Sequence, residues 1–238
     1  MPKPSSAAKQ PTSRAPGKSS KAALAPVKPA RAAAKPAARP TKPTPRPTRK
    51  AARAAEPVPT PLESVRPLIR VRQMRDFTAR RVTRAELDAI TEVARWSGSS
   101  RNEQPCRYVA LRDLDTITRI AELGLPQTRG LPTATAAVAI VVPDEPERES
   151  SRSFDDGRAA ERMLIAANLL GLGGGISRLR ADVREAIGNL LGLPPNRSVR
   201  TIVGLGHPSA DALQPKSRPG AARLPREEVI YEEHWPRR

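Results

Sequence analysis

Apolar residues recur along this chain in two rhythms, one of period near 3.6 and one of period two, and together they predict a mixed α and β domain. Thr83-Arg-Ala-Glu86 has the form of a capping box, and Leu87, Ile90, Val93 and Ala94 follow it at helical spacing up to the break at Ser97-Gly98. A short helix is expected from Asp115 to Leu123, stopped by Gly124. A long helix is expected from Phe154 to Leu170, with Ala159, Met163, Ala166, Ala167 and Leu170 on one side, small enough for another helix to approach closely. Gly171-Leu-Gly-Gly-Gly175 ends that helix, and a further helix spans Asp182 to Leu191 before Gly192 and Pro194. Arg107 to Leu111, Thr135 to Val142 and Ser198 to Leu205 read as strands, the second β-branched and alanine-rich like a buried one. From Arg223 a last segment, Leu-Pro-Arg-Glu-Glu-Val-Ile-Tyr, reads as extended and partly apolar, and without an evident partner in its own chain it points to pairing with another subunit.

Charge divides the chain. The net charge is +18 over 238 residues, and fourteen lysines and arginines precede the first carboxylate, Glu56. The rest of the chain therefore carries only four of the eighteen net charges, so the basic character belongs to a tail. Residues 1–62 are almost entirely Ala, Pro, Lys, Arg, Ser and Thr with no aromatic residue, too poor in large apolar groups to offset the entropy of ordering the backbone. They are expected to form a disordered basic arm, suited to nonspecific contact with nucleic-acid phosphate or to a solubilising linker. Residues 63–238 are enough for one domain with a sizeable core. One cysteine, Cys106, permits no internal disulfide and suits a reducing compartment. No run is long and apolar enough for a membrane span and no secretory signal is evident, so the expected location is cytoplasmic, away from any membrane.

Several chemistries find no support. His207 and His234 are isolated, no cysteine cluster exists, and Gly-x-Ser-x-Gly is absent, which argues against a metal site and a serine triad. The glycine run at 171–175 has Ile176 at the place of the third fingerprint glycine and follows a helix, whereas a dinucleotide-binding loop follows a strand. The stretch Ser97-Gly-Ser-Ser-Arg-Asn-Glu-Gln-Pro-Cys-Arg-Tyr108 is more promising. It joins a helix to a strand and gathers hydroxyls and two carboxamides, Asn102 and Gln104, that offer donors and acceptors to a flat polar ligand. Cys106 reads as a small buried hydrophobe before it reads as a nucleophile.

These residues resemble the FMN-dependent nitroreductases over roughly residues 66–235. The family's opening pattern of two arginines, serine, an aliphatic, a basic residue, any residue and an aromatic appears as Val71-Arg72-Gln73-Met74-Arg75-Asp76-Phe77. Pro-Ser-x-x-Asn-x-Gln-Pro-Trp appears as Gly98-Ser99-Ser100-Arg101-Asn102-Glu103-Gln104-Pro105-Cys106. Asp156 to Leu164 leading into Gly171-Leu172-Gly173, then Leu191 to Pro194, Gly204 to Pro208 and Arg223 to Val229, follow in the family's order.

The resemblance implies an α+β nitroreductase-like fold: a central mixed β-sheet flanked by helices, a C-terminal strand crossing to a partner, and a homodimer with FMN at the interface. It places Arg72 and Gln73 at the FMN phosphate with Arg223 closing it, Arg75 near N1 and O2, and Ser99, Asn102 and Gln104 at the ribityl chain and ring edge. Gly174, Gly175, Ile176 and Ser177 would approach the ring with backbone groups near N5. The implied reaction passes hydride from NAD(P)H through the flavin, in ping-pong fashion, to a small nitroaromatic or quinone-like acceptor, with no obligatory side-chain acid or base. Val71, Gln73, Gly98 and Cys106 depart from the pattern, and Arg70, Lys216 and Arg218 are the cations placed to compensate at the phosphate. A nonenzymatic alternative is a dimeric protein of this fold whose basic arm binds nucleic acid.

Overall fold

The computed structural model describes residues 59–218 and 223–236. The expected basic arm lies outside the described residues except at its end. There Thr60 and Glu63 form a reciprocal capping box, and Pro61 starts helix α1, Pro61–Ile69. Thr83 and Glu86 do the same for α2, Arg84–Arg95, as the sequence pattern predicts. The order continues with β1, Arg107–Leu111; α3, Leu114–Leu123; β2, Ala136–Pro143; α4, Glu149–Leu169; β3, Gly173–Arg178; α5, Ala181–Leu190; β4, Arg197–Gly206; and a single turn α6, Ala210–Leu213.

The strands form one sheet in the order β1-β2-β4-β3, with every ladder antiparallel. Its parallel component is reduced to an isolated bridge between Gln73 and Gly174. Both faces are covered, which explains the unbroken apolar run of β2. Ala136, Val138 and Ile140 face a core shared with α2 and α4, while Ala137, Ala139 and Val141 face one shared with Ile117 and Ile120 of α3 and Ile187 of α5. Alanines 159, 160, 166 and 167 of α4 are buried with Met163, so the helix lies close on the sheet.

Three elements differ from the sequence expectation. Helix α4 begins at Glu149, five residues before Phe154. Its first turns bury Arg152, Asp155 and Asp156, held by ion pairs and hydrogen bonds, so hydrophobic periodicity gives no sign of them. The glycine run does more than end a helix: from Gly173 it is strand β3, where glycine lets the sheet edge pass beneath neighbouring backbone. The C-terminal segment is a 3-10 turn at Arg226–Glu228 and no strand among the described residues. Pro225 offers no N–H to a ladder, and Leu224, Val229 and Ile230 are at least half exposed.

Cys106 packs against the α2/α4 core, and burial, followed by the nearby Asp156 and Asp155 carboxylates, pushes its thiol up to about 11. The thiol is therefore protonated at neutral pH, although Cys106 is half-buried and not fully enclosed as the sequence suggests. Iodoacetamide should label Cys106 slowly at pH 8, with a rate still climbing through pH 10; a plateau near pH 8 would contradict this assignment. A Cβ added to Gly175 would stand 2.4 Å from the Met74 carbonyl oxygen. Gly175→Ala should lower stability by about 1–3 kcal/mol, read from the denaturant midpoint, because backbone has to move to admit it.

Candidate functional site

The first cluster forms where the chain after α1 runs along the outer edge of β3. Met74 N–H donates to the Gly174 carbonyl at 2.7 Å, and this bond fixes the register of the neighbouring side chains. Gln73 Oε1 then accepts from Ile176 N–H at 3.2 Å and from Arg75 Nη2 at 2.7 Å. Arg72 reaches the other way. Its Nη2 donates to the carbonyls of Ala212 and Leu213, at 2.7 and 2.6 Å, and its Nη1 to that of Gln214 at 2.9 Å. A cation at the end of α6 suits the exposed carbonyls there, and it brings Lys216 alongside. A cavity of about 320 Å³ results, lined by Arg72, Gln73, Arg75, Asp76 and Lys216 among others.

The second cluster is the loop between α2 and β1. Arg101, Asn102 and Gln104 all have positive φ, at 51°, 55° and 51°, although none is glycine. Each such residue costs on the order of 1–3 kcal/mol and persists only where its surroundings over-determine it. Here the surroundings do. Ser99 Oγ accepts from Gln104 N–H at 2.8 Å, and the buried Asp155 carboxylate accepts from Ser100 N–H at 3.3 Å. Glu103 is gripped by Arg152 at 3.0 Å and Arg148 at 2.5 Å, and these two cations hold its carboxyl below the ordinary range. Arg152, itself buried, also pairs with Glu145 at 2.5 Å.

Beneath the loop lies another cavity of about 320 Å³, lined by Ser97, Ser99, Gln104, Cys106, Tyr108 and Asp155 among others. Ser97 Oγ and Asp155 Oδ2 are buried there without a hydrogen-bond partner. Next to Asp155, burial raises the pKa of Asp156, opposed by the hydrogen bond from Thr201 Oγ1 at 2.7 Å.

The sequence-predicted residues thus fall into two groups. Arg72, Gln73, Arg75, Gly174, Gly175 and Ile176 come together at the edge of β3. Ser99 and Gln104 line the second cavity, while Asn102 is exposed in the adjoining turn. The two cavities share no lining residue. Ser177 is buried within β3, and Arg223 is exposed and lines neither cavity. Of the three cations that could compensate for the depleted opening motif, Lys216 lines the first cavity, whereas Arg70 and Arg218 do not. Asp155, which supports the loop, carries no sequence signal of that role beyond its place one residue before a family motif.

Comparison with known proteins agrees with this architecture. Residues 70–139 match the model of the nitroreductase family. A protein of Archaeoglobus fulgidus, named as an NADH dehydrogenase/NAD(P)H nitroreductase, is 28% identical over 142 residues, spanning 58% of this chain and 80% of its own. The NADPH:FMN oxidoreductase from Vibrio harveyi, solved with NAD+, superposes with a TM-score of 0.60 at 23% identity, covering 73% of this chain and 78% of that one. An FMN-dependent nitroreductase from Clostridium difficile gives 0.61 at 19% identity, covering 71% and 98%. The chain therefore has a nitroreductase-like fold, and its residues 70–139 are similar to the nitroreductase family.

Proposed function

We propose that this chain is an oxidoreductase that binds FMN and carries reducing equivalents from NAD(P)H to a small nitroaromatic or quinone-like acceptor. The observation that carries the reading is the β3 edge, where Gln73, Arg75 and the Ile176 amide form one hydrogen-bonded unit beside Arg72 and Lys216. Its donor set fits FMN. A phosphate dianion needs several cations, and Arg72, Arg75 and Lys216 line one cavity with Asp76 as the opposing carboxylate. A flat ring needs amide donors along one edge. Beyond the bridge at Gly174, the outer edge of β3 is met by the Gln73 side chain in place of a neighbouring strand.

Bound FMN supplies a carrier that takes up a hydride and returns it. The chain's own residues bind and orient. Lys216 would hold the anionic end beside Arg72, which clamps the carbonyls of 212–214, while Arg75, bonded to Gln73 beside the Ile176 amide, would lie near the ring and favour its more negative reduced form. Ser99, Asn102 and Gln104 supply hydroxyl and carboxamide groups from a loop stiffened by its ion pairs. Because the two cavities are separate within one chain, the reading takes each complete site from two copies, the β3 edge of one and the loop of the other. The names of the Vibrio and Clostridium relatives support the choice of FMN, and the Archaeoglobus relative supports that of NAD(P)H.

The purified protein should be yellow, with flavin absorption that bleaches on adding NADPH or NADH without oxygen and returns on adding a quinone. A colourless protein that does not take up added FMN would refute the reading. Arg75→Ala and Lys216→Ala should each raise the FMN dissociation constant roughly tenfold or more, the weight of a hydrogen bond to a charged group, measured by quenching of flavin fluorescence.

A further inference from the structure

Arg158 stands apart from the other arginines of α4 and its approach. Arg148 and Arg152 are bound to Glu103 and Glu145, and Arg162 donates to the Trp96 carbonyl at 2.7 Å. Arg158 has no hydrogen bond or ion pair among the described residues, and its guanidinium lies by the ring of Phe154, with Cζ 5.6 Å from the centroid. That ring is itself 67% exposed. The guanidinium extends over Gly98, where a Cβ would stand 2.3 Å from Nη2. Gly98 is the position at which the family pattern has proline, so the departure there leaves the space that Arg158 uses. A cavity of about 710 Å³ opens at this place, lined by Ser100, Ser150, Phe154, Arg158 and Arg148, with Glu147 its one carboxylate.

An uncompensated guanidinium held against an aromatic face, at the end of the loop that carries Ser99 and Gln104, is arranged to receive an anion. The exposed ring beside it offers a stacking surface to a flat molecule. We propose that Arg158 and Phe154 anchor an acceptor made of a planar aromatic ring bearing a carboxylate. Arg158 binds the carboxylate, Phe154 stacks on the ring, and Gly98 keeps the position open. This rests on the oxidoreductase reading, which brings the flavin to the same loop.

The test uses the full-length protein, with 4-nitrobenzoate and its neutral amide, 4-nitrobenzamide, as probes. Calorimetric titration should show the carboxylate binding roughly tenfold more tightly than the amide, as a charge-assisted hydrogen bond provides, and KM for reduction should differ in the same sense. Arg158→Gln removes the charge, and Gly98→Ala displaces a flexible side-chain end without touching backbone, so both should fold as judged by circular dichroism. Each should bring the ratio close to one, while Arg158→Lys retains part of it. Equal binding of the two probes to the wild-type protein, or an undiminished ratio in both variants, would overturn the proposal. Binding is read separately from turnover: a protein without a bleachable flavin refutes the oxidoreductase reading, whereas a flavoprotein blind to the carboxylate refutes only the anchoring role.

Discussion

One backbone hydrogen bond, from Met74 N–H to the Gly174 carbonyl, joins the cationic segment after α1 to the edge of the sheet. Everything at the first cavity depends on that seam. It sets Gln73 against the Ile176 amide, turns Arg75 toward Gln73 and sends Arg72 toward α6. The seam requires glycine in β3, since a Cβ at 175 would collide with the Met74 carbonyl and one at 174 would come within 2.6 Å of Leu164. A glycine-rich strand is a poor strand by propensity. Here the missing side chains are what let a second stretch of backbone lie against the sheet.

The loop of the second cavity is organised by electrostatics. Three non-glycine residues in the left-handed region make a costly local conformation, and Arg152 and Asp155 of α4 offset the cost together with Arg148 just before it. Burying Arg152 is tolerable because Glu103 and Glu145 both meet it, and removing either would leave a buried charge poorly compensated. The loop is thus a stiff presentation of Ser99, Asn102 and Gln104, as a site that orients a flat ligand needs. Strain concentrated at this one connection fits a binding role better than an ordinary turn.

Most of this was legible in the residues. Caps at Thr83 and the apolar run of β2 placed their elements to within a residue or two, because local chemistry and tertiary burial agree there, whereas β4 keeps its predicted bounds to within a residue but is buried on both faces where its sequence reads as period two. The start of α4 was hidden because its buried face is made of Arg152, Asp155 and Asp156, and pairing between distant charges leaves no periodic trace. Strand β3 was hidden because three glycines in succession read as a break, and their reasons lie in Met74, about a hundred residues earlier, for Gly173 and Gly175 and in Leu164 for Gly174. A separation of 140 residues or more lies between Arg72 and the carbonyls at α6 that it clamps, so the motif showed a cation without showing its present partner. The C-terminal segment reads as extended from its apolar pattern, yet alone it is a turn with exposed side chains.

What unites these parts is the claim that the β3 edge of one copy and the α2–β1 loop of another make one site. Mixed oligomers test it directly. Two differently tagged chains, one bearing Arg75→Ala with Lys216→Ala and the other Ser99→Ala with Gln104→Ala, would be co-expressed, the mixed species isolated, and its bound FMN measured. Each doubly substituted chain alone should hold almost none. The account predicts that the mixed dimer regains about half the wild-type flavin, because one of its two sites is then built wholly from unaltered residues. A mixed dimer as empty as its parents would show that each chain builds its site alone.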